Sequence, residues 1–304
     1  MERVYRRLLE ENVGKVRRNE PLAKHTTIKI GGPAPLFIEP ADLSALVTAV
    51  NILRAARIPW RAIGRGSNLL VDDAGVDGAV IKIGKGLSYL SFEDDRLRVG
   101  AGYPLVPLAT TLSRKGYAGF EFTGGIPGSV GGAVYMNAGA HGSEIKDLLL
   151  EARILFPDGT LKWLAKEELG FGYRTSALQE RQGICVDAVF KLEKGDAAAI
   201  WNDLQAYKEY RHRTQPYDEK CAGSIFRNPL PDHAGKLIED LGLKGYAIGG
   251  AKISERHGNF IVNAGGATAQ NVLDLIRFVQ DKVKSRYGID LQTEVEILRK
   301  SGDA

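Results

Sequence analysis

Cysteine is nearly absent from this sequence: Cys185 and Cys221 are the only two in 304 residues. Two thiols cannot build a disulfide framework, so the fold must rest on an apolar core, and a reducing compartment suits it. The longest stretch free of Asp, Glu, Lys and Arg, residues 122–143, is broken by seven glycines and a proline, so no membrane-spanning helix is expected. The opening residues, MERVYRRLLEENVGK, are charged throughout and contain no apolar h-region, so no secretory signal is expected there. Neither sign of charge dominates, with 41 Lys+Arg against 37 Asp+Glu, a net +4. The basic residues are interleaved with acidic ones and form no stripe, so neither nucleic acid nor membrane is an expected partner. The five histidines, His25, His141, His212, His233 and His257, show no H-E-x-x-H or similar spacing, so no metal is expected. The expectation is a cytoplasmic protein that works on small molecules.

What is there is a globular chain. Hydrophobic residues make up 44% of it, far above a disordered segment, and its length calls for about two domains. Glycine is in excess: ordinary usage of about 7% would give roughly 21 residues, and there are 36.

Apolar spacings of three and four, at Leu43, Leu46, Val47, Val50 and Leu53, predict a helix from Leu43 to Arg57. Short apolar runs predict strands at Trp60 to Ile63, Leu69 to Val71 and Ala79 to Ile83, which together form a small α/β unit. A second unit follows, with strands near Leu87 to Phe92 and Leu97 to Ala101 and a helix from Pro104 to Lys115. After a long glycine-rich stretch comes a hairpin, Ile154 to Leu164, turning on Pro157-Asp158-Gly159, and then a strand Ile184 to Leu192. Residues 193 to 196 read as a linker. Beyond it, helices are predicted at Ala197 to Arg213 and Thr268 to Tyr287, and a strand at Val295 to Leu298, which suggests a separate α+β domain.

The glycines concentrate in two places. Eight fall between Gly119 and Gly142, around TGGIPGSVGGAVYMNAGA, and a second cluster reads Gly64-Arg65-Gly66-Ser67-Asn68. Glycine lets backbone N–H groups converge into an anion-binding nest, and Arg65 adds a fixed positive charge. Such loops suit a diphosphate. A Rossmann fingerprint does not fit, because Leu69 stands where the third glycine belongs and a strand follows. Tight turns without a ligand remain the plain alternative.

These residues carry a resemblance. GRGSNLLV (64 to 71) and GGIPGSVGGAVYMNAGAHG (124 to 142) are followed in order by GYRTS (172 to 176), AGSIFRNP (222 to 229), AGKLIEDLGLKG (234 to 245), IGGAKIS (248 to 254), HGNFIVN (257 to 263) and TEVEIL (293 to 298). Together they resemble the UDP-N-acetylenolpyruvoylglucosamine reductase family of bacterial cell-wall enzymes. The resemblance implies α/β and α+β architecture, with a vanillyl-alcohol-oxidase-like, PCMH-type FAD-binding domain of two α/β subdomains and a C-terminal substrate-binding domain. Boundaries are expected at 1–21 for an N-terminal helical segment, 22–83 and 84–194 for the FAD subdomains, and 195–304 for the substrate domain. There is no room between Arg213 and Ser224 for the inserted tyrosine loop of longer relatives, so the chain resembles the short class.

The resemblance further implies FAD as cofactor, NADPH as co-substrate and UDP-N-acetylglucosamine enolpyruvate as substrate. The first glycine loop has no histidine for a covalent link, so FAD is expected to bind non-covalently. FAD contacts are expected from Gly64, Arg65, Gly66, Ser67, Asn68 and Leu69, and from Gly125, Ile126, Pro127, Gly128, Ser129, Gly131 and Gly132. Hydride addition to a double bond conjugated with a carboxylate calls for a fixed cation, a second group on that carboxylate and a proton donor. By resemblance these are Arg174, Glu294 and Ser224. Tyr173, Arg213, Gln215, Asn228, Lys236, His257 and Asn259 are the expected substrate contacts. Cys185 reads as a buried thiol, and Cys221 lies three residues from Ser224. Another flavin oxidoreductase of the same fold, or a nucleotide-binding protein without catalysis, is the alternative reading.

Overall fold

The computed structural model describes residues 1–300. Contacts divide the chain into two compact units, each assembled from separate stretches: 1–18, 36–65 and 78–210 in the first, and 19–35, 66–77 and 211 onward in the second. This division differs from the four consecutive segments expected from the sequence.

Unit 1 begins with helix α1 (Glu2–Glu10), which buries Leu8. Asn12, at φ 50°, then turns the chain into a strand, Gly14–Pro21, so the N-terminal segment is helical only in its first half. Pro33–Pro40, Ala79–Lys82 and Trp60–Ile63 form a parallel arrangement with Ala79–Lys82 in the middle. Helix α2 (Leu43–Ala55) packs Leu46, Val50 and Leu53 into the core. Asp42 caps it by accepting from the Ala45 N–H at 2.8 Å, and Arg57, at φ 54°, stops it short of the expected end.

The other sheet of this unit is antiparallel, in the order Leu161–Ala165, Leu149–Leu155, Ile184–Lys191, Arg96–Gly100, Leu90–Glu93. Its middle strand is buried over seven of eight residues. Asp187 lies in that strand, and its Oδ2 accepts from Arg98 Nη2 at 3.1 Å and Arg153 Nε at 2.6 Å. The Trp163 ring stacks within 5.3 and 5.4 Å of those two guanidinium groups. Burial pushes the Asp187 carboxyl up to about 6, still below neutral pH.

Helix α3 (Leu105–Arg114) follows this strand system. The glycine-rich stretch, read from sequence as a loop, contains a 3₁₀ turn (Glu121–Gly125) and helix α4 (Val130–Met136), which packs on Ile184–Lys191. Glu193–Lys194, read as a linker, is a strand paired with Tyr117–Ala118, with the Lys194 ammonium 3.8 Å from the Tyr117 ring centre. Leu87 ends a 3₁₀ turn, and the strand expected there starts at Leu90. Two single-turn helices, α5 (Ile145–Leu148) and α6 (Leu178–Arg181), flank the Arg174 segment in sequence. Helix α7 (Ala197–Thr214) covers the predicted span, and its first fourteen residues, 197–210, belong to this unit.

Unit 2 has a four-stranded antiparallel sheet, Cys221–Ser224, Phe260–Asn263, Ala251–Ile253 and Ala247–Ile248. Helix α8 (Ala234–Asp240) and the long helix α9 (Ala269–Tyr287) complete it. The predicted face of α9, Val272, Leu275, Ile276, Val279 and Val283, is buried. Thr268 and Asn271 cap its start reciprocally, and the Asp73 carboxylate accepts from the Ala269 and Gln270 N–H groups. Leu69–Val71 pairs in parallel with Glu296–Leu298. No helix among the described residues is long and apolar enough to cross a membrane.

Candidate active site

The glycine loops meet inside unit 1. A Cβ added to Gly64 would stand 2.5 Å from Ser129 Oγ, so a glycine there is what lets the first loop approach the second. The second loop is fixed from behind: Leu105 N–H donates to Gly128 O (3.1 Å), Val130 N–H to Tyr103 O (2.9 Å) and Gly131 N–H to Ala101 O (2.9 Å). Gly125 and Ser129 are buried, Ile126, Gly128 and Gly131 half-buried, and Pro127 and Gly132 exposed. Among the described residues, the backbone N–H groups of Gly64, Arg65, Gly66 and Ser67 donate to no other backbone group. Arg65 is exposed beside them. Successive unpaired N–H groups with one cation are a donor set for a diphosphate, so these residues fit FAD.

In unit 2 the Gly66 carbonyl accepts from Thr27 N–H at 3.1 Å, while Asn68 and Leu69 join this loop to the C-terminal strand. Asn68 Nδ2 donates to the Glu294 carbonyl at 3.0 Å, and Glu296 N–H donates to the Asn68 carbonyl at 3.0 Å.

Arg174 lies in unit 1, in a tight turn with its own φ at 57°. Its Nη2 donates to the Gly139 carbonyl at 2.8 Å, its Nη1 lies 4.0 Å from a Glu144 carboxylate oxygen, and the Tyr173 ring sits 4.9 Å from the guanidinium carbon. Arg174 is thus a largely buried cation held by named groups, and not a surface ion pair.

The segments that carry Ser224 and Glu294, 70 residues apart in sequence, are neighbours in unit 2. Ser224 ends the strand Cys221–Ser224, and the next carbonyl, that of Ile225, accepts from the Glu294 N–H at 2.7 Å. Both side chains are half-buried. The segment after Ser224 is clamped by Asn259, which is 4% exposed. Its Oδ1 accepts from Phe226 N–H at 2.9 Å and its Nδ2 donates to Phe226 O at 2.8 Å, which commits both ends of the amide to this backbone. His257 Nδ1 in turn accepts from the Asn259 N–H at 3.1 Å. A lone pair is needed there, so the ring is neutral, and burial, followed by the nearby Lys244 charge, lowers its pKa from the ordinary value.

The other expected substrate residues also fall in unit 2, apart from Tyr173. Arg213 is exposed near the end of α7, and Gln215 Oε1 accepts from Arg211 Nε at 3.0 Å. Asn228 Oδ1 accepts from Ala234 N–H at 3.1 Å. Lys236 is exposed and paired with Asp240 one turn along α8. Cys185 is buried, and burial pushes its thiol up to about 12, whereas Cys221 is partly exposed. Two residues near Arg174 escaped the sequence reading, Asn137 and Glu144. Asn137 is the left-handed C-cap of α4, and an asparagine closing a glycine-rich run was the available signal.

Residues 34–165 match the FAD binding domain family, and residues 215–298 match the family of UDP-N-acetylenolpyruvoylglucosamine reductase C-terminal domains. Over 299 residues, 98% of this chain and 99% of the relative, the sequence is 58% identical to the UDP-N-acetylenolpyruvoylglucosamine reductase of Bacillus pumilus. The chain belongs to this reductase family. Among solved structures, the UDP-N-acetylenolpyruvylglucosamine reductase of Thermus caldophilus superposes with a TM-score of 0.80 at 39% identity, covering 93% of this chain and 99% of that one. Alkyldihydroxyacetonephosphate synthase, at 15% identity, a TM-score of 0.50 and coverage of 64% of this chain and 40% of its own, shares the fold alone. The family assignment makes the protein an FAD-dependent oxidoreductase of the α/β and α+β architecture expected from its motifs. Both glycine loops fall within the matched FAD-binding stretch, and Ser224 and Glu294 fall within the matched C-terminal one. Arg174 lies between the two stretches.

Proposed function

We propose that the protein reduces UDP-N-acetylglucosamine enolpyruvate to UDP-N-acetylmuramate with NADPH, a step in building the peptidoglycan precursor. The observation that supports this reading is the adjacency of the segments carrying Ser224 and Glu294, tied by the hydrogen bond from the Glu294 N–H to the Ile225 carbonyl, together with the largely buried, held guanidinium of Arg174. Bound FAD, non-covalent in the Gly64–Leu69 and Gly125–Gly132 loops, supplies the hydride relay between NADPH and the enolpyruvyl carbon.

The protein's own groups do the rest. Arg174 binds the enolpyruvyl carboxylate and stabilises the negative charge that grows on it, since a guanidinium cannot give up its proton and offers two parallel donors. Glu294, protonated or sharing a proton, hydrogen-bonds the same carboxylate. Ser224 Oγ donates the proton that completes the lactyl ether. Preorganised donors of this kind act where charge develops and are the largest contribution in comparable reactions. Tyr173, Asn228 and Lys236 suit contacts to carboxylate, sugar and diphosphate, with Arg213 and Gln215 further along. Asn259 and His257 support the Ser224 segment, which favours a positioning role for them. In the domain plan this entails, residues 22–194 hold FAD and also supply Tyr173 and Arg174, and residues 195–304 supply the remaining nucleotide-sugar contacts, in a cytoplasmic enzyme.

The test is optical. The purified protein is expected to be yellow, to bleach with NADPH, and to regain colour on adding UDP-N-acetylglucosamine enolpyruvate far faster than with oxygen alone. Recolouring by oxygen at an equal rate would point to an oxidase of the same fold, and a colourless protein would remove the flavin reading.

A further inference from the structure

Arg174 owes its place to a small hairpin. Gly139 pairs with Glu144 and Ala140 with Ser143, antiparallel. The two residues between, His141 and Gly142, have φ of 54° and 83°, as a type I′ hairpin turn demands. The partnered residues Gly139 and Glu144 both face the guanidinium: the carbonyl accepts from Nη2, and the carboxylate stands 4.0 Å from Nη1. The His141 ring stacks on Tyr207 of α7, with centres 4.0 Å apart and planes 8° from parallel, which fixes the tip of the hairpin.

Glu144 is itself held. Its Oε2 accepts from Asn137 Nδ2 at 3.0 Å and pairs with Lys146 Nζ at 2.7 Å, while its own N–H donates to Asp147 Oδ2 at 2.7 Å. Asn137, fully buried, reaches the other side as well, since its Nδ2 also donates to the Gly172 carbonyl at 2.9 Å. Gly172 and Thr175 close the turn that carries Arg174. One asparagine therefore ties the Glu144 carboxylate to the backbone that presents the arginine.

We propose that Glu144 is a positioning residue for Arg174: its carboxylate, fixed by Asn137 and Lys146, sets the direction in which the guanidinium meets the substrate carboxylate. The proposal rests on the reading of Arg174 given above. A two-donor fork works only when its plane is set, and a displacement of about 1 Å in such a group can cost on the order of a hundredfold in rate. Glu144 touches no reacting atom and acts through the arginine.

The experiment uses the FAD-loaded enzyme and separates its two half-reactions. Glu144→Ala is expected to slow flavin reoxidation by the enolpyruvyl nucleotide by about tenfold or more and to weaken calorimetric binding of UDP-N-acetylmuramate by a similar factor. Flavin reduction by NADPH should stay within about twofold. Glu144→Asp should recover part of the loss. In an Arg174→Ala background, adding Glu144→Ala should change reoxidation less than about twofold, because the residue has nothing left to position. An undiminished effect in that background, no effect in the wild-type background, or equal slowing of both half-reactions with a lowered melting temperature overturns the proposal. Failure of the underlying reading looks different: Arg174→Ala alone would then reoxidise at a near-normal rate.

Discussion

Ser224 and Glu294 show, at the scale of single residues, how distant segments come to lie side by side. Sequence motifs single out both, and the Ile225–Glu294 backbone hydrogen bond puts the two segments next to each other, which no motif could state. Ser224→Ala should leave flavin reduction by NADPH intact and slow reoxidation by substrate by at least about a hundredfold, the usual weight of a positioned proton donor. Stopped-flow absorbance reads both steps, and unchanged reoxidation would remove Ser224 from the chemistry. His257 carries a pH prediction. Burial holds its folded pKa below the ordinary 6.5, so the folded state binds its proton less readily than the unfolded chain. Its contribution to stability is therefore complete above about pH 6.5 and is lost as pH falls through the folded value. Melting curves between pH 7.5 and 5 should show this decline, and His257→Gln should flatten it; an identical slope in the variant would exclude the residue as its source.

Among elements, the legible ones are short apolar runs and the helices with a regular apolar spacing. Trp60–Ile63 and Leu69–Val71 lie where their composition put them. Helix α4 was hidden because glycine, at Gly131 and Gly132, is a poor helix former, and here packing overrides propensity: a Cβ at Gly131 would stand 2.8 Å from the Ala101 Cβ. Glu193–Lys194 was hidden because charged edge strands share the composition of linkers. At the first glycine loop, Gly64→Ala would set a methyl 2.5 Å from Ser129 Oγ, so that the hydroxyl must turn away or the loops must shift. Loss of bound FAD on purification, read as the ratio of 450 to 280 nm absorbance, is the expected result, and full retention would show that this approach is not needed. Asn259→Ala strips two hydrogen bonds from the buried Phe226 backbone and should cost about 2–6 kcal/mol, at about 1–3 for each orphaned group. Denaturant titration measures it, and a loss under about 1 kcal/mol would show that water replaces the amide.

For the whole molecule, the linear reading reached the architecture but not the weave. Ile28, Ile30 and Leu70 sit in the same core as Leu237, Val272 and Ile276, far along the chain, because unit 2 draws on three separate stretches. No local pattern announces such a long-range partnership. A fragment beginning at Arg211 lacks those side chains and the strand that pairs with Glu296–Leu298, so it should show no cooperative thermal transition by circular dichroism; a sharp one would mean that the core closes without them. The weave also sets a clock on biosynthesis. A ribosome adding about 5–20 residues per second makes Leu69–Val71 roughly 10–45 s before the strand that pairs with it. Through that interval Ile28, Ile30 and Leu70 emerge with no finished core to enter, so the nascent chain offers an apolar surface to chaperones until its last strand is made.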